Sequence, residues 1–374
     1  CVMDSSFPAE QPRRAATLDI DLAAIAANFR WFAGAASPAA CAACVKADAY
    51  GLGLTPVART LWQAGCREFF VASVGEGAAL RALLPEAVIY VLNGYLPAEL
   101  PELRAARLLP VLNDPVQVAA FEADFPAGTP AALQIDSGMT RLGLDVRDLP
   151  ALGARWRQPG AINLLLSHLA CAEDPGHTLN RLQLERFIGA WQVLGRPRAS
   201  LANSAGVLLG PDWRFDLVRC GAGLYGLNPQ PGRPNPLHPV VRLTAPVLQV
   251  RDVGEDTSVG YGATHVMRAP GRIATVACGY ADGYPRAASN RAVALVDGRR
   301  VPLIGRLSMD LLMLDVSALP AGTPRPGDEV ELLGADCDVD ALATVAGTIG
   351  YELLTHVGRL CRRRYHAPTG ADTV

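Results

Sequence analysis

The sequence all but lacks lysine. Of its 34 lysines and arginines, one, Lys46, is lysine and the other 33 are arginine. It also lacks any apolar run approaching the ~20 residues that span a bilayer. The run at residues 87–92 (AVIYVL) is only strand-sized. A helical membrane span is excluded. The opening CVMDSSFPAEQPRR has no apolar core segment, so it does not read as a signal peptide. Cys1 as the first residue of a processed lipoprotein gives way to the plainer reading of a displaced start near Met3. An excess of either charge is missing too: 36 acidic residues against 34 basic ones leave a formal charge of −2. The two signs are interspersed, which argues against a nucleic-acid surface or a polybasic membrane anchor.

The nine cysteines are an odd number scattered through apolar segments. They read as reduced thiols of a cytoplasmic protein. Cys41 and Cys44 form a CxxC, but a second CxxC and a histidine pair are both missing. A zinc site is therefore set aside, and the two are read as small buried strand residues. No metal is expected. The remaining histidines, His177, His238, His265, His356 and His366, show no ligand spacing.

A chain rich in Ala, Arg, Pro and Gly has exchanged lysine for arginine wherever charge alone was needed. A surviving lysine is a candidate for chemistry that arginine cannot do. Arginine stays protonated, whereas a desolvated lysine can lose its proton and form a Schiff base.

From about residue 41 to 220, β-rich runs alternate with amphipathic stretches. The runs lie at residues 42–46, 69–73, 87–92, 108–112, 131–135, 162–168, 199–203 and 216–219. Such alternation predicts a parallel sheet with helical crossovers. The count of eight favours a closed (β/α)8 barrel of the TIM type. After His238 the pattern changes to alternating or apolar segments between Gly, Pro and Asp, which predicts a β-rich C-terminal domain. The expected division is an arm at residues 1–16, the barrel at 17–238 and the second domain at 239–374. The first strand, in TLDID, is left open between the two domains.

In such a barrel the chemistry sits where strands end. Those positions hold Lys46, Asp136 with Arg141 (DSGMTRLG), His168 (SHLA), Asn203 and Ser204 (ANSAG), and Arg219 with Gly221 (RCGAGLYG). Ser204 and the small residues after Arg219 can offer hydroxyl and backbone N–H donors to a phosphate. A lysine beside a phosphate cradle is what a pyridoxal-phosphate enzyme needs.

The segment VKADAYGLG resembles the cofactor-binding signature of the alanine racemase family, which are fold-type III pyridoxal-phosphate enzymes. The resemblance runs from about residue 17 to 365. It continues in order through DSGMTRLG, SHLA, ANSAG, VRCGAGLYG, VGYGATH, GYADGYPR and GRLSMD. It implies interconversion of L- and D-alanine by two bases. Lys46 carries the cofactor and serves one face of the substrate Cα, and Tyr261 serves the other. Tyr261 is implied to reach the site from the partner subunit of an obligatory homodimer, with His168 as its neighbour, linked onward to Arg219. The cofactor is implied to be held by Lys46, Tyr50, His168, Asn203, Ser204, Arg219 and Gly221, with Arg219 at the pyridine nitrogen. Arg141 and the backbone of Met309 are implied to hold the substrate carboxylate, and Tyr280 to line the entrance.

Two positions depart from the family pattern. Many relatives carry a carbamylated lysine two residues before the Asp of DxGM. Here Gln134 stands there, with an expected hydrogen bond to Arg141. Near the C-terminus, Arg359 replaces a tyrosine of the entrance. These departures keep a racemase of other side-chain preference, such as serine, in view. A decarboxylase of basic amino acids fits less well, given Arg219 and Tyr261. A non-catalytic pyridoxal-phosphate carrier resembles the barrel alone. Supply of D-alanine and catabolism of L-alanine are both compatible with these residues.

Overall fold

A computed structural model describes residues 15–366 apart from 153–155, 157 and 159. Cys1 and the expected arm up to residue 14 lie outside the described residues. The described residues form two compact units, one within 22–238 and one that joins residues 15–21 to residues 239–366.

In sequence order the strands are β1 (Thr17–Asp21), β2 (Ala40–Cys44), β3 (Glu68–Val71), β4 (Val88–Val91), β5 (Leu109–Leu112), β6 (Ala131–Asp136), β7 (Leu144–Asp145), β8 (Ile162–Leu166), β9 (Ala199–Ser200) and β10 (Leu217–Cys220). All of these but β1 belong to the unit of residues 22–238. Its sheet runs β10-β2-β3-β4-β5-β6-β8-β9, and every neighbouring pair is parallel. A single parallel bridge between Asn203 and Arg219 joins the two ends. Arg219 N–H donates to the Ala202 carbonyl at 2.9 Å and Asp216 N–H to the Ala199 carbonyl at 3.1 Å. The eight strands are thus a nearly closed TIM-like barrel, with β7 paired to β6 off the ring. Ala131 to Ile135 of β6 and all of β10 are buried. Strands covered on both faces need apolar residues at every position, and that is why they appear as unbroken runs.

The helices between them begin at polar caps. Ser73 accepts from Glu76 N–H at the helix Val74–Leu83, and Asp114 accepts from Val116 and Gln117 N–H ahead of Pro115. Side-chain acceptors satisfy the first orphan donors of a helix, and proline fits its first turn.

The second unit begins with β1. It continues through β11 (Val241–Val253), β12 (Thr257–Val259), β13 (His265–Met267), β14 (Gly271–Val276), β15 (Val293–Val296), β16 (Arg299–Ile304), β17 (Leu312–Asp315), β18 (Glu329–Leu333) and β19 (Arg362–His366). Its sheet runs β14-β17-β16-β15-β18-β11-β1-β19, and β14 also pairs with β11, so six strands close on themselves. β11 does this by pairing with β18 through its first half and β14 through its second, with a bulge between Val247 and Gln249. β1 is antiparallel to β11 and parallel to β19. The strand TLDID is therefore a member of this sheet and not of the barrel. No helix among the described residues is long and apolar enough to cross a membrane.

Candidate active site

Lys46 stands two residues past the end of β2, half-buried at the mouth of the barrel. A right-handed helical turn would have placed Tyr50 above it. The turn is left-handed instead: Ala47, Asp48, Ala49 and Tyr50 have φ of 54, 56, 53 and 58°, and Gly51 follows at 85°. Non-glycine residues adopt this conformation at about 1–2 kcal/mol each. Local hydrogen bonds hold it, from Ala49 N–H to the Val45 carbonyl at 2.9 Å and from Gly51 N–H to the Ala47 carbonyl at 2.8 Å. Glu76 clamps it from the first turn of the helix Val74–Leu83. Its carboxylate accepts from Ala47 N–H and Ala72 N–H, both at 2.7 Å. Asp48 Oδ1 accepts from Leu54 N–H at 2.6 Å.

The turn directs Tyr50 inward, where it is 8% exposed. A Cβ at Gly221 would lie 2.4 Å from the Tyr50 hydroxyl, so a side chain there would displace the tyrosine. The Tyr50 ring meets Tyr225 with centroids 4.7 Å apart, and the Tyr225 hydroxyl donates to the Cys44 carbonyl at 2.9 Å. Opposite them, Ser204 opens the short helix Ser204–Val207. Asn203 caps that helix, its Oδ1 accepting from Gly206 N–H at 2.8 Å. Ser204 Oγ accepts from Gly221 N–H at 3.0 Å and Gly223 N–H at 3.3 Å. With both lone pairs engaged, its hydrogen is left for a further acceptor.

Arg219 is a buried charge. Its guanidinium donates to the Ser200 carbonyl at 2.9 Å, to Ser200 Oγ at 2.7 Å and to the Ser167 carbonyl at 2.5 Å. Among the described residues no carboxylate accepts from it. Burial pulls its pKa down to about 10, which leaves it charged at neutral pH. His168, half-buried on the loop after β8, is pushed down to about 3, first by burial and then by the positive charges of Arg219, Arg141 and Lys46. Burial and these three cations keep its imidazole neutral.

Arg141 is exposed, at the end of a turn built by Asp136. Asp136 Oδ1 accepts from the N–H groups of Gly138, Met139 and Thr140 at 2.9–3.0 Å. A Cβ at Gly143 would lie 2.5 Å from the Asp136 nitrogen. The expected bond from Gln134 to Arg141 is not made. Gln134 is buried, and its amide nitrogen donates to the Leu142 carbonyl at 3.0 Å. It pins the turn one residue beyond the arginine.

The barrel mouth thus brings together Lys46, Tyr50, Arg141, His168, Asn203, Ser204, Arg219 and Gly221. Tyr261, Tyr280 and Met309 belong to the other unit, where they are 71%, 41% and 54% exposed. Tyr261 stands on a single turn between β12 and β13. Tyr280 and Met309 are held side by side. Ala281 N–H donates to the Met309 carbonyl at 2.9 Å, and a Cβ at Gly279 would strike that carbonyl at 2.2 Å. Arg359 is exposed on the helix Gly350–Leu360 of the same unit. Reading the sequence overlooked Ser200 and Glu76, which hold Arg219 and the Lys46 turn. Each is an ordinary polar residue whose partner lies many positions away.

Residues 20–229 match the N-terminal domain of alanine racemase and residues 240–365 its C-terminal domain. The chain belongs to the alanine racemase family. It is 48% identical to the alanine racemase of Rhodospirillum rubrum, over 95% of this chain and 97% of that one. It is 43% identical to a catabolic alanine racemase of Agrobacterium fabrum, over 98% and 96% of the two chains. Alanine racemase from Bartonella henselae, whose crystal structure holds covalently bound pyridoxal phosphate, superposes with a TM-score of 0.88 at 38% identity, covering 94% of this chain and 99% of that one.

Proposed function

We propose that this alanine racemase works by two bases, Lys46 on one face of the substrate Cα and the partner subunit's Tyr261 on the other. The observation that carries the reading is the cradle at the barrel mouth that holds Lys46, where Ser204 Oγ takes the Gly221 and Gly223 N–H groups beside the Tyr50 hydroxyl, with Arg141 and Arg219 as the nearby cations. Such a cradle with a primary amine at its rim fits an anionic carbonyl compound, and pyridoxal phosphate is one. Its residues fit that group in detail. Ser204 has a hydroxyl hydrogen left over, and the Tyr50 hydroxyl stands against Gly221, so both can hold the phosphate.

Bound there, pyridoxal phosphate supplies an electron sink that acidifies the substrate Cα–H. The remaining tasks fall to the protein. Lys46 binds the cofactor covalently, and its freed amine takes or returns the Cα proton on its own face. Arg219 would meet the pyridine nitrogen as a donor only. A guanidinium cannot accept a proton from that ring nor supply the acid a carboxylic group would, so the nitrogen would stay unprotonated. This moderates the sink and disfavours side reactions. His168, held neutral, can accept a hydrogen bond from the hydroxyl of the tyrosine that works the opposite face and so orient it. Arg141 and the backbone N–H of Met309 orient the substrate carboxylate, and Tyr280 narrows the way in. The exposure of Tyr261, Tyr280 and Met309 on a unit other than the barrel supports their lending themselves to a second copy, so the active assembly is a homodimer. The eight free thiols among the described residues suit the cytoplasm.

The test is incubation of the purified protein with pyridoxal phosphate and L-alanine in deuterated water. D-alanine carrying deuterium at Cα is expected. Deuterated L-alanine alone would mean that one base acts and the two-base reading fails. Lys46→Arg is the control, and it should yield neither product nor covalent cofactor.

A further inference from the structure

Gln183 lies on the helix Thr178–Val193 and is fully buried. A buried amide is costly unless its donors and acceptor are satisfied. Here they are, all at one place. The amide nitrogen donates to the His168 carbonyl at 2.9 Å and to Ser137 Oγ at 3.0 Å, and Oε1 accepts from Ala170 N–H at 2.8 Å. The orientation of the amide is forced. A backbone N–H can only donate and a carbonyl can only accept, so a flipped glutamine would lose both.

The chain of bonds beyond it also has a fixed direction. Ser167 Oγ donates to the Ile135 carbonyl at 2.7 Å. A hydroxyl has one hydrogen, so in the 2.7 Å contact between Ser137 and Ser167 the donor is Ser137. Protons therefore point one way, from Gln183 to Ser137 to Ser167 to the wall of β6. All three side chains are 0–1% exposed. From the same helix, Arg186 donates to the Ser137 carbonyl at 3.2 Å. At the far end, the Ser167 carbonyl is one of the three acceptors that hold Arg219.

We propose that Gln183 is a positioning residue of the racemase, setting the loop 167–170 so that the Ser167 carbonyl receives Arg219 and the His168 ring faces the mouth. It touches neither substrate nor cofactor. The proposal rests on the reading of the mouth as the racemase site. What it adds is a control point in the helical layer, outside the ring of residues that meet the ligand.

The discriminating variant is Gln183→Glu. A glutamate has the same shape and keeps the acceptor for Ala170 N–H. Ionised, it has no hydrogen for the His168 carbonyl; protonated, it regains one. Burial raises a carboxyl above its usual ~4.3. The cofactor-loaded variant should therefore lose kcat as pH rises through that raised value, a limb that the wild type lacks. Gln183→Leu, which satisfies none of the three partners, should lower kcat about tenfold or more while KM for alanine moves less than about threefold. Hydrogen exchange by mass spectrometry gives a readout apart from activity: peptides covering 165–172 should exchange faster in Gln183→Leu, and in Gln183→Glu on the alkaline side of its kcat limb. A wild-type pH profile in Gln183→Glu, or unchanged exchange in that peptide, would overturn the proposal. If Gln183→Leu does not fold, Gln183→Glu decides alone. If the wild type itself does not racemise alanine, the functional reading fails, and the exchange comparison still tells whether Gln183 orders the loop.

Discussion

The lone lysine is intelligible only together with the charges around it. Arg219, Arg141 and Lys46 converge on a histidine that is pushed down to about 3 by burial and by their fields. This has a consequence for stability with a definite sign. In the unfolded chain the imidazole takes its proton near its ordinary 6.5, and in the folded one it resists until far lower. Between those values the unfolded state binds one more proton. Stability from this source is complete above the upper value and falls as pH drops, at up to ~1.4 kcal/mol per pH unit. Urea unfolding of the cofactor-free protein at about pH 7.5 and about pH 5.5 should show a larger loss in the wild type than in His168→Gln. Equal losses would show that His168 is not held neutral. The residue types of this site were legible in the sequence, because a barrel's strand ends are where isolated polar residues follow apolar runs. Their partners were not. Nothing in ASLAN announces that Ser200 receives a guanidinium from β10, and nothing in LQLERF announces that Gln183 serves a loop 15 residues earlier. Such bonds depend on which strands and helices become neighbours in space.

At the scale of elements, β-rich runs translated into strands with small losses at their ends. The run at 162–168 yields a strand that stops at Leu166, and just beyond it the Ser167 carbonyl receives Arg219. The run at 199–203 yields only two ladder residues, since Asn203 is drawn off to cap the next helix. The segment after Lys46 runs against its composition: KADAY has ordinary helix formers, yet it is wound left-handed. Backbone acceptors on both sides, with the Glu76 and Asp48 carboxylates, outweigh its local preference. Handedness of this kind is set by tertiary clamps and leaves no periodicity to read. It is open to test at Ala47, which is exposed and has φ 54°. Glycine adopts this conformation without the Cβ clash, so Ala47→Gly should stabilise the fold by up to about 1 kcal/mol, less what glycine's freer unfolded state takes back. Ala47→Val should destabilise it, since a β-branched residue at positive φ is strained. Thermal melts of the two variants decide it. The reverse order would mean that the turn is not left-handed in solution.

At the scale of the whole molecule, the change of grammar after His238 was visible, but the place of the first strand was not. TLDID is five residues long and pairs with strands more than 220 and 340 positions away, at Val241 to Thr244 and at Arg362 to His366. Alternation fixes which face of a strand is buried and says nothing about which sheet receives it. A similar limit applies to the second base. Within one chain Tyr261 is 71% exposed on the unit that does not hold Lys46, and the proposed dimer gives that exposure a purpose. Two inactive variants can test it. Lys46→Ala spoils the barrel contribution and Tyr261→Ala the other. If each site takes Lys46 from one subunit and Tyr261 from its partner, a mixed dimer has one site with both defects and one intact site. Random exchange makes half of the dimers mixed, so an equimolar mixture, dissociated and reassembled, should recover about a quarter of the wild-type activity. If both bases come from the same chain, every site carries one defect whatever the pairing, and the mixture stays as inactive as its components.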